Sequence, residues 1–214
     1  MRVERLLRVV GPVSTNVHVL GDPRSREAIA IDTATPSLAW IRDELAARDW
    51  TLKLIVSTHG HWDHIGDNAA LATHTGADIA VHPLDRARLE HPQPLFAPFE
   101  VLPSIPAVEL AEGGEIRFGD IRLVVIHTPG HTEGSVCLYD ADDGILFSGD
   151  TLFAGGWGRI DLPGGDQAAM VESLGRLTTF EDRTAVLPGH GQSTTIGRER
   201  PWLELVRDAR RLFA

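Results

Sequence analysis

A single cysteine, Cys137, excludes any disulfide within the chain. Its setting in the apolar-rich stretch 135–139 reads as a small core position rather than a nucleophile. No run of apolar residues approaches the length that spans a bilayer, so no membrane partner is expected. The opening Met1-Arg2-Val3-Glu4-Arg5-Leu6 lacks the apolar core of a secretory signal, and a cytoplasmic protein is expected. Basic residues are in the minority, 20 Lys and Arg against 30 Asp and Glu, for a formal charge of −10. Such a surface repels phosphate backbones, which argues against a nucleic-acid partner. No linker or shift of composition divides the 214 residues, so one domain over 1–214 is expected.

What is present is concentrated in Thr58-His59-Gly60-His61-Trp62-Asp63-His64, directly after the apolar run 52–56. That run reads as a buried strand, so the cluster sits where a strand ends. Residues two apart on an extended chain point the same way, so His59 and His61 can converge on one point. Asp63 and His64 point elsewhere unless the backbone turns sharply. Imidazole and carboxylate at this density suit zinc or another first-row ion. The competing reading, surface histidines in a polar loop, fits a cluster this dense poorly.

The remaining pattern alternates short strands with helices. Strands are predicted over 3–10, 16–20, 28–31, 52–56, 78–81, 116–118, 121–127, 135–140, 145–148 and 184–187. Helices are predicted over 36–48, 68–75, 84–90, 167–177 and 201–213, the first with Thr35 as cap and Pro36 at its first position. Gly119-Asp120 and Asp142-Asp143-Gly144 read as hairpin turns. The stretch 91–106, with five prolines and with Phe96 and Phe99, is a loop long enough to be functional or mobile, or one whose phenylalanines simply cap the core. Two mixed sheets packed face to face with helices outside is the implied α/β (α+β) layout.

The His-x-His-x-Asp-His motif after a strand resembles the signature of the metallo-β-lactamase fold superfamily. Trp62 within it and Ile65-Gly66-Asp67-Asn68 after it resemble the glyoxalase II (hydroxyacylglutathione hydrolase) branch. The resemblance implies a four-layer αββα sandwich and points to three more ligands. His131 stands in Thr128-Pro129-Gly130-His131-Thr132, Asp150 in Phe147-Ser148-Gly149-Asp150-Thr151, and His190 in Leu187-Pro188-Gly189-His190-Gly191. Each follows a predicted strand and turn-prone residues. By resemblance, His59, His61 and His131 hold one divalent ion and Asp63, His64 and His190 another, with Asp150 bridging. Zinc is the expected metal, with iron or manganese as the alternatives. Asp32 matches a position expected to hydrogen-bond behind the ligands. His18, His74, His82, His91 and His127 lack partners at ligand spacing and read as surface or core residues.

The implied chemistry is hydrolysis of a hydroxyacylglutathione-type thioester by a metal-bridging hydroxide, with catalysis resting on Asp63 and Asp150. Two divalent ions outweigh two aspartates and one hydroxide, so a small anionic thioester or ester is the expected partner. Gly155-Gly156-Trp157-Gly158-Arg159-Ile160-Asp161 resembles a substrate loop of the same branch, which makes Arg159 a substrate contact. The plainer reading of Arg159 is an exposed pair with Asp161. Only the 24 residues after His190 stand where full-length glyoxalase II carries a helical region, so the resemblance is to the short bacterial glyoxalase II-like hydrolases. Persulfide dioxygenases, with one iron, share the fold and a Gly-Arg-x-Asp loop, but Trp62 and Gly66-Asp67-Asn68 favour the hydrolase. Lactonases and other ester hydrolases are further rivals; β-lactamases often carry cysteine where this chain has Asp150. A binding module that has lost its site is disfavoured because no ligand is missing.

Overall fold

The computed structural model describes residues 3–93, 97–119 and 121–213. The expected parts played by Phe96 in the long loop and Asp120 in a turn lie outside these residues, as do Met1 and Arg2. The first half runs β1 (Glu4–Val10), β2 (Thr15–Asp22), β3 (Glu27–Ile31), α1 (Leu38–Arg48), β4 (Thr51–Val56), α2 (Trp62–Ile65), α3 (Asn68–Thr75), β5 (Asp78–Val81), the 3-10 turn Pro83–Asp85, α4 (Arg86–Glu90) and β6 (Val108–Glu109). The second half runs β7 (Glu115–Phe118), β8 (Ile121–His127), β9 (Val136–Asp140), β10 (Ile145–Gly149), α5 (Gln167–Leu177), β11 (Ala185–Pro188), β12 (Thr194–Thr195) and α6 (Ile196–Ala209).

Each half forms a six-stranded mixed sheet, in the orders β1-β2-β3-β4-β5-β6 and β12-β11-β10-β9-β8-β7. In the first, β1 to β3 pair antiparallel and β3 to β6 parallel. In the second, β10 pairs parallel with β11, while β12 with β11, β10 with β9, β9 with β8 and β8 with β7 pair antiparallel. Strand alternation explains the layers, because successive side chains face opposite ways and here both faces are covered. Ile29 and Ile31 of β3 face Val125, Leu138 and Phe147 across the middle of the sandwich. Ala28 and Ala30 face Ile41 and Leu45 of α1, on the outer side. Cys137 of β9 and Leu146 of β10 turn outward onto Met170 and Leu174 of α5 and Leu203 of α6. The three clusters are the three seams of an αββα sandwich, the architecture expected. Large side chains with no exposure to speak of, such as Phe147, Ile55 and Leu138, each contribute about 1.5–3 kcal/mol by burial.

Several local expectations fail for reasons of through-space chemistry. Helix α1 begins at Leu38, not Pro36, and Thr35 is not its cap. Asp67, buried 30 residues on, accepts hydrogen bonds from the backbone N–H of Ser37 (2.6 Å) and Leu38 (2.7 Å) and so satisfies the helix start. Helix α6 starts at Ile196, ahead of the expected Pro201, because the Thr195 hydroxyl caps the Arg198 N–H. Strands β6 and β12, two residues each, carry too little pattern to be read from sequence. In the long loop, Val101 is buried, Phe99 packs edge-on against Trp62, and His91, Gln93 and Pro98 line a cleft. The loop therefore both covers the core and walls the site. No helix among the described residues is long and apolar enough to cross a membrane.

Candidate metal centre

The ends of β3, β4, β8, β10 and β11 deliver Asp32, the His59–His64 cluster, His131, Asp150 and His190 to one edge of the sandwich. Register does part of this work. Gly149 of β10 is paired with Pro188 of β11, so Asp150 and His190 leave adjacent strand ends together. The sharp turn that the first motif requires is the one-turn helix α2, with His61 as its N-cap residue and the His64 N–H donating to the His61 carbonyl at 2.9 Å.

All seven expected ligands meet. His59 Nε2 lies 3.1 Å from His61 Nδ1, which lies 2.8 Å from His131 Nε2. Across the site, His64 Nε2 is 3.1 Å from His190 Nε2, and Asp63 Oδ2 is 3.2 Å from the latter. Asp150 stands between the halves, with Oδ2 at 3.5 Å from both His131 Nε2 and His190 Nε2 and Oδ1 at 3.4 Å from His64 Nε2. The donor atoms fall into the groups His59-His61-His131 and Asp63-His64-His190, and a further group joins His59, His64 and Asp150. His64 thus faces both halves, a sharing the simple two-way split does not contain.

The donor set fits metal ions. Three imidazole nitrogens converge on a point, and Asp150 Oδ1 is buried without a hydrogen-bond partner among the described residues. The outer ring nitrogens of His131 and His190 face backbone carbonyls, the arrangement that orients a ligating histidine. His131 Nδ1 faces the Arg159 carbonyl at 2.6 Å and His190 Nδ1 the Val13 carbonyl at 3.1 Å, so both rings turn Nε2 inward. His64 Nδ1 is 3.0 Å from Asp32 Oδ2, at ion-pair distance though outside hydrogen-bond geometry. Asp32 also accepts from the Thr58 N–H and hydroxyl, both at 2.8 Å, which places it in hydrogen-bond contact with the residue before His59. The carbonyls of Arg159 and Val13 were missed from sequence, since any residue type supplies a carbonyl.

Electrostatics divide the site. Burial pushes the His59 imidazole well below its ordinary 6.5, with His64 and His131 adding to the effect. Burial likewise takes His61 down to about 3. For His64 burial acts the same way but is outweighed by Asp150, Asp63 and Asp32, which hold it well above 6.5. Burial opposes ionisation of Asp63, yet His64 and His190 hold its carboxyl below the usual carboxylate range.

The site opens into a cleft of about 1080 Å³ walled by Val13, Trp62, Pro98, Phe153 and Leu162, with Arg159 on its rim. Arg159 makes a two-pronged ion pair with Asp161, Nε to Oδ1 and Nη2 to Oδ2 both at 2.7 Å, and its side chain is 59% exposed. The paired geometry and the cleft position coexist. Of the other histidines, His91 lines the cleft, and His82 and His127 stack face to face at 4.1 Å.

His18, beneath Asp32, is 5% exposed, and its Nε2 has no hydrogen-bond partner among the described residues. Burial, partly offset by Asp32, takes it down to about 4. The unfolded chain takes up a proton on this side chain near pH 6.5 and the folded chain only near 4. Stability is therefore lost as pH falls through that window and flat below it. At pH 5 the loss is about 2 kcal/mol. In urea unfolding of metal-free protein, His18→Leu is expected to remove that part of the slope between pH 7 and 5. An unchanged slope would refute the assignment.

Fold and donor set together define a metal-binding αββα protein. The chain belongs to the metallo-beta-lactamase superfamily, whose description matches residues 10–190. It is 38% identical to an uncharacterized protein of Aquifex aeolicus over 89% of this chain and 91% of that one. It is 37% identical to the hydroxyacylglutathione hydrolase of Maricaulis maris over 87% of this chain, which spans 66% of that relative's length. Among solved structures, the B3 metallo-beta-lactamase BLEG-1 superposes with a TM-score of 0.81 at 32% identity, over 94% of this chain and 99% of that one. ETHE1 from Myxococcus xanthus gives 0.80 at 28%, over 96% and 85%. TTHA1623 in a di-iron-bound form gives 0.76 at 31%, over 91% and 96%.

Proposed function

We propose that this superfamily hydrolase works with two divalent ions on a small anionic thioester of the hydroxyacylglutathione type. The observation that carries the reading is Asp150, whose carboxylate lies within 3.5 Å of ring nitrogens from both halves of the site. The similarity to the Maricaulis maris hydrolase supports the thioester, and the di-iron form of TTHA1623 supports a two-metal site.

Divalent ions bound here would supply an activated water and polarise the substrate carbonyl. The chain's own residues do the rest. His59, His61 and His131 would hold one ion; Asp63, His64 and His190 the other; Asp150 would serve both. The carbonyls of Arg159 and Val13 fix the tautomers of His131 and His190. Trp62 and Phe153 line the cleft beside the donor atoms and would limit water around a bound acyl portion. Arg159 would exchange its exposed partner Asp161 for a substrate carboxylate, a swap that such a solvated pair resists little.

The test is metal content of the protein as isolated, paired with a panel of thioesters, lactones and other esters. Two metals per chain with thioester turnover is expected, along with a raised KM and a nearly unchanged kcat in Arg159→Ala. The Gly158-Arg159-Ile160-Asp161 loop also admits a second reading, a one-iron persulfide dioxygenase. One iron per chain with oxygen consumption on a persulfide would establish that reading instead.

A further inference from the structure

Asp85 lies outside every ligand motif, at the end of the 3-10 turn after β5, and is fully buried. Its Oδ2 accepts the Gly60 N–H at 2.7 Å and the Thr132 hydroxyl at 2.8 Å. Its Oδ1 accepts the Gly134 N–H at 3.0 Å and Arg88 Nε at 3.3 Å. Gly60 lies between His59 and His61, and Thr132 follows His131. One carboxylate thus joins the two loops that carry these three histidines. An ionised carboxylate has about four acceptor positions, and all four are used. The closeness is built in: a Cβ at Gly134 would stand 2.7 Å from Asp85 Cγ. The two segments also share a backbone bond, Val136 N–H to the Thr58 carbonyl at 2.9 Å, which does not depend on the side chain at 85. The opposite half of the site relies on different supports, Asp32 beneath His64 and the Val13 carbonyl on His190.

We propose that Asp85 is the positioning residue of the His59-His61-His131 half, setting the affinity of that half for its ion independently of the other. The inference rests on the two-metal reading. An amide at 85 replaces one acceptor oxygen by a donor, so either the Gly60 or the Gly134 N–H loses its partner and the histidine loops are free to part.

The experiment titrates Co²⁺ into metal-free protein against a chromophoric chelator and follows the visible absorption of the bound ion. His61→Ala and His190→Ala assign each binding step to its half. Unfolding midpoints of the metal-free proteins are measured alongside. Asp85→Asn is expected to weaken the His61-dependent step by about 10–100-fold, as loss of an outer partner does, and to leave the His190-dependent step unchanged. Thr132→Val, which removes one of four donors, is expected to act in the same direction by a smaller factor. Equal weakening of both steps, or of neither, overturns the inference. If Asp85→Asn does not fold, Thr132→Val decides by the same criterion. If the unmodified protein binds a single ion, the two-metal reading fails. Asp85 is then judged on that ion, where an unchanged affinity in Asp85→Asn overturns its role.

Discussion

Asp150→Ala is expected to abolish hydrolysis in a chain that remains folded. The carboxylate contacts His64, His131 and His190, so alanine removes the group shared by both halves of the site at once. The fall in turnover should exceed the about 10²–10³-fold that loss of one stabilising donor costs in other active sites. The fold should survive because the strand end is held by backbone bonds, Gly189 N–H to the Gly149 carbonyl at 2.8 Å and Thr151 N–H to the Ser148 carbonyl at 3.0 Å. His59→Ala should behave alike, since His59 contributes donor atoms to two of the three groups. Turnover, circular dichroism and metal analysis of the purified variants together check the expectation. A folded Asp150→Ala protein with two ions and near-normal turnover would falsify the assignment.

Gly189→Ala should do nearly as much with a single methyl group. A Cβ at 189 would stand 2.3 Å from Asp150 Oδ1 and 2.7 Å from His64 Cε1. The backbone has nowhere to retreat, because the Gly189 N–H is bonded to Gly149 and its carbonyl accepts the Asn16 N–H at 2.7 Å. The two side chains must shift, and both belong to the centre. A displacement of about 1 Å in an active site costs about 10²-fold in rate, and overpacking of this kind costs about 1–3 kcal/mol of stability. Gly156→Ala is the control, because its Cβ would meet nothing within 4 Å and its φ is not positive. If Gly189→Ala turned over like Gly156→Ala, the close packing of Asp150 against the β11 end would have no part in the chemistry.

These two glycines show where sequence reading stops. Both look like turn residues beside a functional motif, and only the neighbours of each Cα separate one from the other. The same holds for carboxylates. Asp67 in Gly66-Asp67-Asn68 served as a family marker, while its physical task is to satisfy the start of a helix 30 residues earlier. Asp85, in an unremarkable Leu84-Asp85-Arg86 stretch, ties loops 25 and 47 residues away. Arg159 stands out in the sequence for its guanidinium, yet it is its backbone carbonyl that contacts His131.

What the sequence determined by itself was everything written in local periodicity and residue type. Alternating apolar runs specified most of the strands and the packed-sheet layout, and the imidazoles and carboxylate crowded into 59–64 pointed to metal chemistry, while the other candidate ligands and the reaction class came from the resemblance of the motifs to a known family. Tertiary structure alone decided how His64 comes to face both halves, which residues hold each ring, and where the cleft opens. The physical reason is range. Period and ligand type act over a few residues, whereas a buried donor takes whichever acceptor the packed strands bring to it, at any distance along the chain.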